Sequence, residues 1–243
     1  MKKVFAILLA SLTLTSSINV IAKDQTHIKS SKYNSDERDV ANFTSVAGAG
    51  PINIVITLGS KASCRLEGDA DAIASIVTEV KGNALIIRPE TSITSWSRKY
   101  EDKKITAYVT VLSLKSLTMN GSGAMTVNGK VSAGDFATVL SGSGSIKVNA
   151  DVDDFSGVIS GSGSININGN ADHAKVVISS SGTFGGKSFA VKTLSTTISG
   201  SGTVNIAVDE SIRAVISGSG SVNYSGNASV EKTIVGSGRV RKI

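Results

Sequence analysis

The amino-acid sequence predicts an all-β fold: a right-handed parallel β-helix (solenoid) of roughly 18 to 21 residues per coil, preceded by an irregular N-terminal β-rich cap. Three observations predict it. A Gly-Ser-Gly triplet recurs at a near-constant interval, apolar and polar residues alternate on both sides of it, and the same residue type returns at each aligned position.

The triplets begin at Gly121, Gly142, Gly161, Gly200, Gly218 and Gly236, with Ser180-Ser181-Gly182 as a degenerate copy, so the steps are 21, 19, 19, 20, 18 and 18 residues. Two before each triplet stand Met119, Leu140, Ile159, Ile178, Ile198, Ile216 and Ile234. Four after its first residue stand Met125, Ile146, Ile165, Phe184, Val204, Val222 and Val240. A further apolar row, six before the triplet, reads Phe136, Phe155, Ala174, Leu194, Ile212 and Val230. The intervening residues are polar or small, which is the period of two of a half-buried strand.

Antiparallel hairpins share that alternation but give no reason for one residue to recur at one position in every repeat. Parallel stacking does, because like positions pile up along an axis and bury one another. The glycines are expected to allow a tight corner with positive φ, and the serines to pass hydroxyl hydrogen bonds from coil to coil. Insertions fall at the opposite corner, around Asn128-Gly129, Asp151 to Asp154, Asn168-Gly169-Asn170 and Gly226-Asn227. Gly186 replaces a large residue in the coil that carries Phe184, a trade of volume within one layer.

The N-terminal region divides further. Residues 1–22 combine Lys2 and Lys3 with a short apolar run and read as an export signal cleaved after Ala22, which sends the chain to the periplasm, the outer surface or the medium. Residues 23–38 are polar and read as a flexible leader, residues 39–116 as a β-rich part, and residues 117–243 as the repeats. Within 39–116, Gly48-Ala49-Gly50 reads as a first, detached corner. Asp69 to Ser75 reads as a short Asp-capped helix, and Ile76 to Val80 with Leu85 to Arg88 as a hairpin turning at Lys81-Gly82-Asn83. Ser92 to Lys104 reads as a polar loop. Cys64, the single cysteine, can form no internal disulfide and reads as a small buried hydrophobe.

The segment from Arg38-Asp39-Val40 to Phe43, the segment from Gly68-Asp69 through Glu79-Val80-Lys81-Gly82-Asn83 to Ile87, and the run Ser160-Gly161-Ser162-Gly163-Ser164-Ile165-Asn166-Ile167 resemble the auto-transporter adhesin head GIN domain family. The resemblance extends from about Asp39 to Ile243. It implies a β-solenoid protein of the bacterial cell envelope with no established enzymatic activity.

Residues that could carry chemistry are few. The histidines are His27, in the leader, and His173, in a variable turn, which gives no support to a Ser-His-Asp triad or a histidine metal site. Asp151, Asp153 and Asp154 share one turn and could chelate calcium, but acids grouped this way also suit a solvated loop. The glycine-rich corners lack the strand-to-helix context and the following Lys-Ser/Thr of a phosphate loop. Removal of residues 1–22 leaves 23 basic against 19 acidic residues, a scattered +4 that does not argue for nucleic acid.

No cofactor or metal is expected. Two function classes remain: a non-catalytic binding or scaffold protein of the envelope that recognises glycan or protein along a β-helix face, and a carbohydrate-active lyase or hydrolase using the Asp151 to Asp154 turn. Two places are candidates for binding. One is the loop holding Trp96, Arg98, Lys99 and Tyr100, where an aromatic could stack on a sugar, although a single large apolar residue in a polar segment reads more readily as an anchor of the loop to the core. The other is the row three before each corner, Thr118, Val139, Val158, Val177, Thr197, Val215 and Thr233, which alternation points outward as an uncharged stripe suited to a partner or to self-association.

Overall fold

The computed structural model describes residues 33–243. The export segment, the first part of the leader and His27 lie outside the described residues. The chain runs through β1 (Tyr33–Arg38), β2 (Ser45–Ala49), β3 (Asn53–Leu58), β4 (Ser63–Asp69), α1 (Ala70–Ala74), β5 (Ile76–Lys81), β6 (Ala84–Pro89), α2 (Ile93–Lys99), β7 (Ile105–Val111) and β8 (Ser116–Gly121). Five long strands follow: β9 (Ala124–Gly142), β10 (Ser145–Gly161), β11 (Ser164–Ser180), β12 (Thr183–Gly200) and β13 (Thr203–Gly218). The last coils are β14 (Ser221–Ser225), β15 (Ser229–Val235) and β16 (Arg239–Lys242).

Each long strand pairs in parallel with the next, making a β-solenoid of about seven turns. Like positions stack as the repeat requires: Ile146 opposes Ile165, Ile165 opposes Phe184, and Phe184 opposes Val204. All four side chains are fully buried. The row six before the corner forms the far wall of this core, with Phe136 against Phe155 at 6.2 Å and Phe155 against Phe184 at 5.8 Å between ring centroids. Gly186 makes room in this layer, since a Cβ there would lie 2.8 Å from Phe184 Cε1. A second ring, Phe189, also fills it, edge-on to Phe155 at 5.4 Å.

The two glycines of each corner have different tasks. The first has positive φ, for example 110° at Gly142 and 126° at Gly161, and a Cβ added there would come 2.5 to 2.6 Å from the carbonyl oxygen of the corner glycine one coil earlier. The second packs under the isoleucine of the preceding coil: a Cβ on Gly202 or Gly220 would meet Ile178 Cγ2 at 2.5 Å or Ile198 Cγ2 at 2.6 Å. The serine between them is exposed in the corners at Ser143 and Ser162. The expected hydroxyl relay is not how the corners are joined. Backbone bonds join them, Ser162 N–H and Gly163 N–H both donating to Gly142 O at 3.1 and 3.0 Å, because the tight turn aims the serine side chain at solvent and its amide at the coil below.

The N-terminal region corrects three expectations. First, the early corner is offset and contiguous with the stack. Gly48 opposes Met119 and Ala49 opposes Asn120, which brings Gly50, with φ of 84°, over Gly121. The corner is therefore Gly50-Pro51-Ile52, and β2 and β3 lie directly on β8 and β9, detached in sequence alone. Gly48 instead stands in the inward row, where a Cβ would meet Ile54 Cδ1 at 2.5 Å.

Second, residues 33–38 of the leader form β1, antiparallel to β4. Its sequence has no apolar alternation because backbone pairing and charge hold it: Arg38 donates to Ile73 O at 3.1 Å and pairs with Asp36 at 2.9 Å. Third, the segment read as a polar loop contains α2, capped by Ser92 Oγ, which accepts from Ser95 N–H. The short helix and the hairpin form as the sequence indicates, with Asp69 accepting from Ala72 N–H and β5 pairing antiparallel with β6.

Together these elements close the N-terminal end of the stack. On one flank β3 continues into β7, then antiparallel β4 and β1; on the other, β2 continues into β6 and antiparallel β5. Cys64 sits in β4 with no exposure, and burial pushes its thiol up to about 12, so it remains protonated at neutral pH and serves as packing.

Ser180 is the non-glycine residue in the left-handed region among the described residues, with φ of 98° where other corners place glycine. A side chain there costs about 1 to 2 kcal/mol. Ser180→Gly is expected to raise stability by about 1 kcal/mol. Gly161→Ala should lower it by several times more than Ser162→Ala, which only trims an exposed hydroxyl. Urea denaturation of the three variants checks both statements.

Candidate binding face

The row three before each corner lies where alternation puts it. Thr118 opposes Val139, and the ladder continues in register through Val158, Val177, Thr197, Val215 and Thr233. Toward the N-terminal end it extends to Ala47 and then Ile86, both half-buried. Nine uncharged rungs therefore follow one another from β6 to β15. Val139 is 36 % and Val215 42 % exposed, while Val158 and Val177 are half-buried between the rungs on either side.

The neighbouring rows frame this ladder. On the corner side stand Asn120, Ser141, Ser160, Ser179, Ser199 and Ser217; on the other, Ser116, Ala137, Ser156, Lys175, Ser195 and Arg213. Short side chains on the corner side leave the β-branched ladder open there, while the exposed Lys175 and Arg213, the latter paired with Glu231 of the next coil, border it on the other side. Strand-to-strand spacing of about 4.8 Å sets the pitch at which any partner would meet it.

The other candidate place does not form a binding surface around its aromatics. Trp96 is 2 % exposed and its indole Nε1 donates to Ser75 Oγ at 2.7 Å. Tyr100 is 8 % exposed, stands 5.0 Å from Trp96 between ring centroids, and donates through its hydroxyl to Asp71 O at 3.2 Å. The spacing of four residues puts both rings on the inner face of α2, against α1. The expectation of an exposed aromatic platform is thus replaced by the anchoring alternative. Arg98 and Lys99 remain exposed on the outer face, and Lys99 Nζ lies 5.0 Å from the Tyr100 ring centroid.

The turn acids are spread over exposed positions. Asp151 pairs with Lys130 at 3.0 Å and Asp172 with Lys192 at 2.8 Å, whose hydrogen bond holds the Asp172 carboxyl below its usual range. His173 Nδ1, in β11, is 2.9 Å from Oγ1 of Thr193, its cross-strand partner in β12. Among the described residues, no three His, Cys, Asp or Glu side chains converge as a metal site would require. No helix of the described residues is long and apolar enough to cross a membrane.

These features define the class of protein: a parallel β-solenoid with an antiparallel end cap and an uncharged ladder of outward residues along one flank. The chain belongs to the family described as "Putative auto-transporter adhesin, head GIN domain", whose model matches residues 42–228. It is similar to a solved "putative adhesin" from Bacteroides fragilis, with 21 % identity and a TM-score of 0.79 over 88 % of this chain and 98 % of that one. A solved "putative adhesin" from Parabacteroides merdae shows 18 % identity and a TM-score of 0.68 over 88 % and 97 %. A "putative lipid binding protein" from Parabacteroides distasonis shows 20 % identity and a TM-score of 0.69 over 87 % and 96 %. At these identities the likeness concerns the fold. No curated protein matches the chain.

The Ser75 hydroxyl joins both helices, donating to Ala72 O at 2.7 Å while accepting from Trp96. Ser75→Ala leaves the buried indole N–H without a partner and is expected to cost about 1 to 3 kcal/mol. In the unaltered protein Trp96 fluorescence should resist acrylamide quenching. In Ser75→Ala the quenching constant should rise as α2 loosens.

Proposed function

We propose that this protein is a non-catalytic binding or scaffold protein of the bacterial cell envelope, exported by residues 1–22, that recognises a glycan or protein along the flank before the corner. The observation that carries this reading is the nine-rung uncharged ladder from Ile86 to Thr233. β-branched residues favour strands wherever they face, but that preference accounts for valine and threonine and not for the lack of any charge over nine successive rungs. The family description points to an external partner, and a periodic surface suits an extended or repetitive one.

The test is a double substitution, Val158→Lys with Val177→Lys. Both side chains point out of the core, so the variant should keep its circular dichroism spectrum and melt within a few degrees of the parent. Its retention on isolated cell envelopes should fall at least tenfold, or its self-association by light scattering should disappear. Unfolding of the variant would show that this flank is packed rather than presented, and unchanged retention and association would reduce the ladder to strand propensity. Calcium-dependent cleavage of an acidic polysaccharide, abolished by Asp153→Asn, would establish the enzyme reading instead.

A further inference from the structure

The flank after the corner carries its own outward ladder: Thr126, Lys147, Asn166, Gly185, Asn205, Asn223 and Arg241, in register. Past Gly185 its members hold one another. Asn223 Nδ2 donates to Asn205 Oδ1 at 2.9 Å, and Arg241 Nε donates to Asn223 Oδ1 at 2.6 Å. At Gly185 the ladder has a rung without a side chain, which separates Asn166 from Asn205 by two strand spacings, roughly 10 Å. The oxygen of Asn205 is engaged by Asn223, so its amide N–H groups are left for another acceptor. Asn166 supplies an acceptor, its Oδ1 lying 2.5 Å from where a Gly185 Cβ would be.

A bulge deepens the gap. Pairing slips between Asn166 and Gly169 in β11 and between Gly186 and Ala190 in β12, so Lys187 and Ser188 stand outside the ladder and are exposed. Bulges of this kind re-aim side chains and are common beside binding sites. The result is an open hollow of about 610 Å3, lined among others by Lys147, Asn166, Thr183, Gly185, Lys187 and Asn205. That size lies in the range of small-ligand sites, roughly 300–1,000 Å3.

The lining chemistry is selective. It contains two lysines, amides and hydroxyls, with no carboxylate and no apolar side chain larger than a methyl group. Lys130 and Lys192, on the turns, are neutralised by Asp151 and Asp172; Lys147 and Lys187 make no ion pair among the described residues. An apolar ligand would meet no apolar side chain and would cover the amides and ammonium groups without bonding them. A bare anion would use the lysines and the Asn205 N–H groups and leave the Asn166 acceptor idle. A donor at Asn205 and an acceptor at Asn166, facing each other across the gap, match hydroxyls on opposite sides of one sugar ring, and a nearby ammonium group matches a carboxylate on that ring.

We propose that this hollow is a binding subsite for an acidic saccharide, a uronate unit whose hydroxyls meet Asn166 and Asn205 and whose carboxylate meets Lys147 or Lys187. It lies on the other side of the corner from the valine and threonine ladder and stands independently of it. The experiment is titration calorimetry of the protein with a 1,4-linked galacturonate tetramer, with its methyl-esterified form and inorganic phosphate as the other arms. The acidic tetramer should bind, with at least tenfold loss on esterification and at least tenfold loss in the Lys147→Gln, Lys187→Gln double variant. Gly185→Asn should abolish binding by completing the ladder. Gly185 has ordinary strand φ, and its added Cβ crowds only the movable end of Asn166 while making an ordinary 3.7 Å contact with Ile165 O, so this variant should keep the parent melting temperature. Absence of binding, equal binding of the ester, displacement by equimolar phosphate, or indifference to the lysine and glycine substitutions would each overturn the proposal.

Discussion

The whole stack depends on how closely the backbone of one corner approaches the backbone of the next. At Gly142, Gly161, Gly200 and Gly218 the space a Cβ would need is taken by a carbonyl group of the coil below, and the φ values there are ones that L residues avoid. Each corner is thereby locked to its predecessor by main-chain hydrogen bonds such as Ser143 N–H to Gly121 O at 3.1 Å and Ser219 N–H to Gly200 O at 2.9 Å. Once the corners are in contact, strand pairing on both flanks follows at the same spacing. The inward rows then have no choice but to stack like on like.

Between the corners the constraint is volume, applied layer by layer. Phe136, Phe155 and Phe184 form a column of rings, and the layers around them use small residues to admit it: Gly157 lies where a Cβ would come 3.0 Å from Phe155 Cε1, and Gly186 where it would come 2.8 Å from Phe184 Cε1. This is close packing by exchange within a coil, a glycine two residues from a phenylalanine, with total volume kept while individual positions vary. The outward rows are free of that coupling. One can remain uncharged over many rungs while another, on the far side of the corner, holds amides and lysines.

Much of the solenoid was legible in the sequence because its period is short and its corner has a distinctive composition. The inward rows, the outward Val and Thr row, the Asp69 cap and the hairpin at Gly82 all follow from local patterns. What escaped were features set by contacts that no pattern carries. The register that makes Gly50 the corner in place of Gly48 is fixed by β8, whose residues lie far along the chain. β1 pairs through its backbone, so its polar sequence gave no sign of a strand. The helix α2 did have a signal, Ser92 as a cap with Trp96 and Tyr100 four residues apart, which polar neighbours concealed. Phe189 was missed because the bulge before it shifts the count from the corner. The same bulge hid the hollow at Gly185, which exists only where two register slips meet.

The offset first coil has a kinetic consequence. Each later coil closes on its predecessor over a loop of roughly one repeat, so β9 to β13 can add in order as soon as one pair has formed, each step drawing its two partners from chain that is close at hand. The first coil cannot join that progression. Ser45 and Ser116, whose hydroxyls meet at 2.8 Å, are separated by 71 residues. Closing a segment nearly two doublings longer than one repeat costs roughly 1 kcal/mol more in chain entropy. Seating β2 and β3 on β8 and β9 therefore carries a larger entropic cost than adding any later coil, and the junction between cap and repeats is expected to form after pairing within the repeats.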